Sequence, residues 1–220
     1  MGICLLWGTS FVIVKDGLNA ASPMVFTTLR FIVASVVLAS YYRRSVERAH
    51  IRGALAVGAL LFAGYAFQTA GLARTTASRS AFLTALSIPL VPLCQCGVYW
   101  RAPKPVELLG ALVALLGTFL LTRPGSGGGS QGASSPAAAF NVGDALSVAC
   151  AVGFALHMVA LNHFSSPQRG ETAFETVAVV QVAVCAVLSG AFCAVVETPF
   201  LRPTGRLVLD TVVVGLGATA

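Results

Sequence analysis

Arg30 sits inside an apolar run, 24–42, and a charge placed there asks for a reason. Near the middle of a membrane span a charged side chain costs at least ~2.5 kcal/mol on insertion scales. Arg30 lies about six residues from the start of the run, which is ~9 Å by helical rise. Two readings follow. The side chain snorkels to the nearer interface, or it faces the interior, where it binds an anionic substrate group or ties helices together. Its guanidinium donates hydrogen bonds but does not release a proton near neutral pH, so it is no proton carrier. His157 lies in the middle of the run 142–161. It is the residue type that titrates near pH 7, and an ionisable group inside a span marks a functional position. The structural reading is a histidine hydrogen-bonded between helices. Gln181, in the run 173–196, is an interhelical donor or a cavity residue.

Other polar residues fall into stripes. Tyr65 and Gln68 are three residues apart and share a helix face, and a buried Gln68 needs protein or a cavity to face. Trp7 and Ser10 share a face in the same way, which fits cavity lining. Thr76, Ser80, Thr84 and Ser87 form a second stripe, suited to close helix packing or to lining a cavity. Pro89 and Pro92 should kink their helix and free backbone carbonyls. Gly110 and Gly117, with Ala111 and Ala114, read as a close-packing face without chemistry. The six cysteines all fall in apolar runs, and Cys94 and Cys96 point about 200° apart on a helix, so packing is their reading and no metal site is expected. No catalytic residue and no cofactor are assigned.

The elements that must hold these residues are long and apolar. Of 220 residues 56% are hydrophobic and 10% are charged, with a mean hydropathy of +0.84. A soluble domain carries roughly 25% charge. Too few charges remain here to cover a water-facing surface. Those present punctuate apolar runs at 1–14, 24–42, 53–72, 77–100, 106–121, 142–161 and 173–196, and an eighth run starts near Leu207. This is the pattern of an all-α, polytopic helix bundle with lipid as its solvent. A net charge of +6 could suggest nucleic acid, but the arginines are scattered between runs and form no stripe, so no nucleic-acid partner is expected. The Gly/Ser-rich segment 123–140 reads as a flexible linker. It lacks the Lys-Ser/Thr of a phosphate loop. Arg43, Arg44, Arg48 and Arg52 crowd one short gap. Positive charge resists translocation, which puts that loop and the N-terminus in the cytoplasm. Trp100 reads as an interfacial anchor.

The two sides of the linker are alike. Residues 7–12 can be laid on 154–159, placing Ser10 opposite His157, and 29–31 on 180–182, placing Arg30 opposite Gln181. Five runs precede the linker. An odd number starts the second copy from the opposite side, giving an inverted repeat of the kind common in secondary transporters. The segments "LLWGTSFVIVK", "SPMVFTTLRFIVAS", "GYAFQTAGLARTTASRSAFLTALSIPLVPL", "ELLGALVALLGTFLL" and "GDALSVACAVGFALHMVAL" resemble, in order and spacing, the EamA-type transporters of the drug/metabolite transporter superfamily. The resemblance implies ten helices in two inverted five-helix halves, both termini cytoplasmic, and a central cavity through which substrate crosses. Residues 1–122 then form a first repeat, and 141–220 a partial second repeat that lacks two helices.

The expected function is that of a secondary transporter in the plasma membrane, moving small metabolites or drug-like molecules by alternating access. Its partners are the lipid bilayer and a small-molecule substrate, and a homodimer is left open. Expected cavity residues are Trp7, Ser10, Arg30, Tyr65, Gln68, Thr84, His157 and Gln181. The alternatives are a truncated, non-transporting membrane protein and an intramembrane enzyme. The enzyme wants paired carboxylates or a histidine–carboxylate pair within the membrane, whereas the acidic residues here, Asp144 among them, sit at run edges or in loops. A small multidrug exporter would need a glutamate within its first span, which the first run lacks.

Overall fold

The computed structural model of the protein describes residues 2–42, 45–99, 104–122, 141–166, 168, 170 and 172–219. Arg43, Arg44, Trp100, Arg101, Arg123, Arg169 and the segment 123–140 therefore lie outside the described residues, as does the side chain of Trp7. The described elements are helices α1 (Gly2–Gly17), α2 (Pro23–Tyr42), α3 (Ile51–Arg74), α4 (Ala77–Ala85), α5 (Ser87–Tyr99), α6 (Pro105–Thr122), α7 (Val142–Phe164), α8 (Ala173–Val196) and α9 (Gly205–Val214). A 3₁₀ turn, Arg48–His50, leads into α3, and a π-helical turn, Gly215–Thr219, continues α9. In lipid a chain must satisfy its own backbone, and a helix does so locally. Five described stretches are long and apolar enough to cross a membrane: Pro23–Tyr42, Arg48–Arg74, Ala77–Val98, Val142–Phe164 and Ala173–Val196. Ile32, Val36, Leu109, Leu112, Val187 and Val195 are exposed on the outside of the bundle, where lipid chains would solvate them. The protein is an all-α polytopic membrane bundle.

One apolar run becomes two helices. Leu86 forms a turn between α4 and α5. Pro89 has no N–H to give the Ala85 carbonyl, and its ring crowds the preceding turn. Regular bonding resumes with the Leu90 N–H on the Leu86 carbonyl at 3.1 Å. Pro92 lies within α5, which continues past it.

α3 is the centre of the packing, lying against α7 and α8, while α2 packs on α8 and α9 packs on α1 and α2. Glycines make the α3 contacts close. A Cβ added at Gly64 would stand 2.6 Å from the Phe154 ring on α7, one at Gly71 would stand 2.9 Å from the Gly143 carbonyl oxygen, and one at Gly58 would stand 2.7 Å from Val184 Cβ on α8. Small residues let helices approach where lipid offers no hydrophobic drive. The face expected of Gly110 and Gly117 is different. A Cβ at either would meet nothing within 4 Å, and α6 exposes most of its apolar side chains. Small residues at helical spacing make a shallow face, but they do not supply the helix that covers it.

Candidate functional site

A cavity of about 510 Å³ opens inside the bundle, walled by α1, α2, α3, α4, α5, α7 and α8. The residues lining it include Ser10, Arg30, Tyr65, Gln68, Thr84, His157 and Gln181, and the side chain of Trp7 lies outside the described residues. Most of the remaining wall is apolar, including Phe11, Leu61, Leu72, Phe154 and Met158. Among the described residues no Asp or Glu lines the cavity.

Arg30 faces inward, which decides between its two readings. α2 buries Phe26, Thr27, Arg30, Phe31 and Ala34, spaced as one helix face. Arg30 is only 3% exposed. Its guanidinium carbon lies 4.2 Å from the centroid of the Tyr65 ring and 5.2 Å from that of Phe31. Tyr65 is itself held edge-on by Phe31 and Phe154, at centroid distances of 4.9 and 5.0 Å. These ring faces attract the cation through their quadrupoles. They accept no conventional hydrogen bond, and Arg30 Nε and Nη2 are buried with no hydrogen-bond partner among the described residues.

Across the cavity His157 Nε2 and Gln181 Oε1 are 2.9 Å apart. The interhelical histidine and the cavity histidine are thus the same residue, bonded from α7 to α8 and lining the space. The two positions laid opposite each other in the sequence repeat, Ser10 with His157 and Arg30 with Gln181, all reach this cavity. The hydroxyl stripe divides in the same manner. Thr76 caps α4 by accepting from the Arg79 N–H, and Ser80 meets Ser147 of α7 at 3.2 Å. Thr84 lies 3.8 Å from Cys150 Sγ and also lines the cavity, as does Ser87.

A second polar cluster lies at the end of the bundle where α3 ends and α4 and α7 begin. Arg79 is in the first turn of α4 and pairs with Asp144 of α7 at 2.7 Å. Asp144 is fully buried. Its Oδ1 also accepts from the Thr75 hydroxyl at 2.8 Å, and its Oδ2 accepts from the Asn141 N–H at 3.0 Å. Asn141 Oδ1 accepts in return from the Asp144 N–H at 2.9 Å, completing a capping box. The Lys15 ammonium of α1 donates to the Leu72 and Thr75 carbonyls at the end of α3. Beyond them Arg206 bonds Asp16 at 2.7 Å, and an isolated antiparallel bridge joins Ala21 to Leu201. The Asn141-x-x-Asp144 spacing ahead of an apolar run signals the cap. Nothing in the sequence near Asp144 names its partner on α4, which is why reading the sequence misses the pair.

Comparison with known proteins agrees with this architecture. An uncharacterized transporter of Archaeoglobus fulgidus is 30% identical over 163 residues, covering 74% of this chain and 47% of the relative. An uncharacterized inner membrane transporter of Escherichia coli K12, YedA, is 23% identical over 128 residues, covering 56% of this chain and 42% of the relative. The chain thus spans about half the length of the curated relatives it matches. A solved crystal structure shares the fold with a TM-score of 0.71 at 23% identity, covering 99% of this chain and 72% of that one. The profile of the EamA-like transporter family matches residues 1–123. More than half of the sequence lies in that match, and the chain belongs to the EamA-like transporter family.

Proposed function

We propose that the protein is a secondary transporter that passes a small molecule through the central cavity by alternating access. One observation carries the reading. Polar and aromatic side chains from both sides of the segment 123–140 converge on a single space within an otherwise apolar bundle. Polar groups are costly at membrane depth and are kept where they meet each other or a substrate. The packing supports an inverted repeat. α3, from before the linker, lies on α7 and α8, and α9, from after it, lies on α1 and α2, with α2 on α8 between them. Exchanging the halves about a two-fold axis through the α2–α8 contact reproduces that scheme, and rocking one repeat against the other would open the cavity to each side in turn. The arginine-rich loop before α3 favours a cytoplasmic N-terminus, and the membrane would be the plasma membrane.

Cysteine accessibility in sealed vesicles tests this without knowledge of the substrate. The native cysteines are first replaced by Ala. Ser10→Cys and Gln68→Cys should then react with a membrane-impermeant thiol reagent added to either side. Leu112→Cys and Val195→Cys, on the exposed apolar surface, should react from neither. Labelling of the cavity positions from one side alone would sink alternating access.

A further inference from the structure

The proposed transport site takes a substrate, and Arg30 bears on its chemical class. An unsatisfied donor on a charged, buried group costs about 1–3 kcal/mol or more. Such a group in a native interior calls for an explanation. Nε and Nη2, the two nitrogens without a partner, share one edge of the guanidinium, where their N–H bonds run side by side. That spacing matches the two oxygens of a carboxylate, which accepts both. Among the described residues no other arginine or lysine lines the cavity, so one negative charge balances it. A phosphate monoester would bring a second charge with no cation to meet it. Among the described residues no Asp or Glu lines the cavity either, so an ammonium group would find no counter-ion there. The face of Tyr65 is already occupied by Arg30. The rest of the wall, with Phe11, Leu61, Phe154 and Met158, suits a hydrocarbon body.

We infer that the cavity selects a small monocarboxylate with an apolar body and no cationic group, held by the Arg30 guanidinium. The inference rests on the reading of this cavity as the transport site. That edge is buried and does not face open cavity space, so a carboxylate entering from the cavity reaches it once the guanidinium turns over the Tyr65 ring on which it stacks.

The test uses the unaltered full chain in lipid nanodiscs and three ligands of one skeleton: 3-phenylpropanoate, 3-phenylpropanamide and phenylalanine. Calorimetric titration should give an affinity for the acid roughly tenfold or more above that for the amide, the difference between a charge-assisted and a neutral hydrogen-bonded contact. Phenylalanine, which adds an unpaired ammonium, should bind at least as weakly as the amide. Arg30→Lys should keep part of the acid's advantage, since it keeps charge and loses the fork, and Arg30→Met should abolish it. Equal affinities for acid and amide, or tighter binding of phenylalanine, would overturn the inference. So would the absence of binding by all three. If the accessibility test above succeeds while the acid shows no advantage, only the substrate class is wrong. If cavity cysteines are reached from one side alone, the transport reading falls first.

Discussion

Two inward-facing arginines of this bundle meet opposite fates. Arg79 sits at one end, beside a fully buried carboxylate that three groups besides it support: the Thr75 hydroxyl, the Asn141 N–H and the helix start of α7. Arg30 sits by the central cavity with aromatic faces around it and two nitrogens without a hydrogen-bond partner. The first arrangement is closed at its carboxylate: an anion balances the Arg79 charge, and both Asp144 oxygens accept hydrogen bonds within the protein. The second has no anion among the described residues, and in the proposed reading a ligand supplies it. A buried ion pair whose carboxylate is fully hydrogen-bonded fixes structure. A buried cation with no anion beside it marks a place where stability is left for binding to supply. The contrast predicts that removing charge from the two sites changes stability in opposite directions.

The largest effect should come from the closed site. Asp144→Ala leaves the Arg79 guanidinium without its anion and the Thr75 hydroxyl without its acceptor. Breaking a buried pair on one side costs about 3–5 kcal/mol. Arg79 retains 23% exposure, so water recovers part of the loss and the low end, about 3 kcal/mol, is expected. Thermal unfolding in nanodiscs should show a clear fall in midpoint. If Asp144→Ala melts with the parent, the pair contributes nothing and the comparison fails. Thr75→Val is a smaller version of the same cut. It removes one hydrogen bond to an ionised acceptor, worth about 1.5–3 kcal/mol, and keeps the ion pair. Its melting loss should lie between zero and that of Asp144→Ala. The two losses should not add in the double variant, because both act through one carboxylate.

How much of this was legible in the sequence follows from what each feature depends on. Spans depend on local apolarity, so the run 173–196 and helix α8, Ala173–Val196, coincide. The interruption of the fourth span depends on Pro89, a local cause, and it appears at Leu86. The polar residues around the cavity stand out in the sequence because a polar side chain in an apolar run has few places to go except inward. The closed site was hidden for the opposite reason. Arg79 and Asp144 lie at helix starts, where charges are ordinary, and 65 positions of chain separate them. Gly110 misled because a glycine permits close packing without requiring it. At Gly71 the Gly143 carbonyl comes within 2.9 Å of an added Cβ, whereas at Gly110 the space is open, and the sequence shows the same residue in both places.

The smallest effect, and the most discriminating, belongs to Arg30→Met. Methionine keeps a long flexible stem and can pack sulfur against Tyr65 and Phe31. The substitution removes two orphaned donors, a gain of about 2 kcal/mol at the low end of about 1 kcal/mol each. It also removes the contact of the cation with the rings, a loss of about 0.5–2 kcal/mol. The terms nearly cancel, so the ligand-free variant should melt within about 1 kcal/mol of the parent, on the stable side. Taken alone, that small shift would be a weak result. Its force lies in the sign, since the same kind of edit at Asp144 is costly, and in what happens when 3-phenylpropanoate is added. A ligand that binds only the folded protein raises stability in proportion to the logarithm of its concentration above its dissociation constant. The parent should gain midpoint with added acid, and Arg30→Met should not. A large loss of stability in ligand-free Arg30→Met would show instead that Arg30 is already satisfied by its surroundings. The two arginines would then differ only in the chemistry of their partners, not in whether the site is finished.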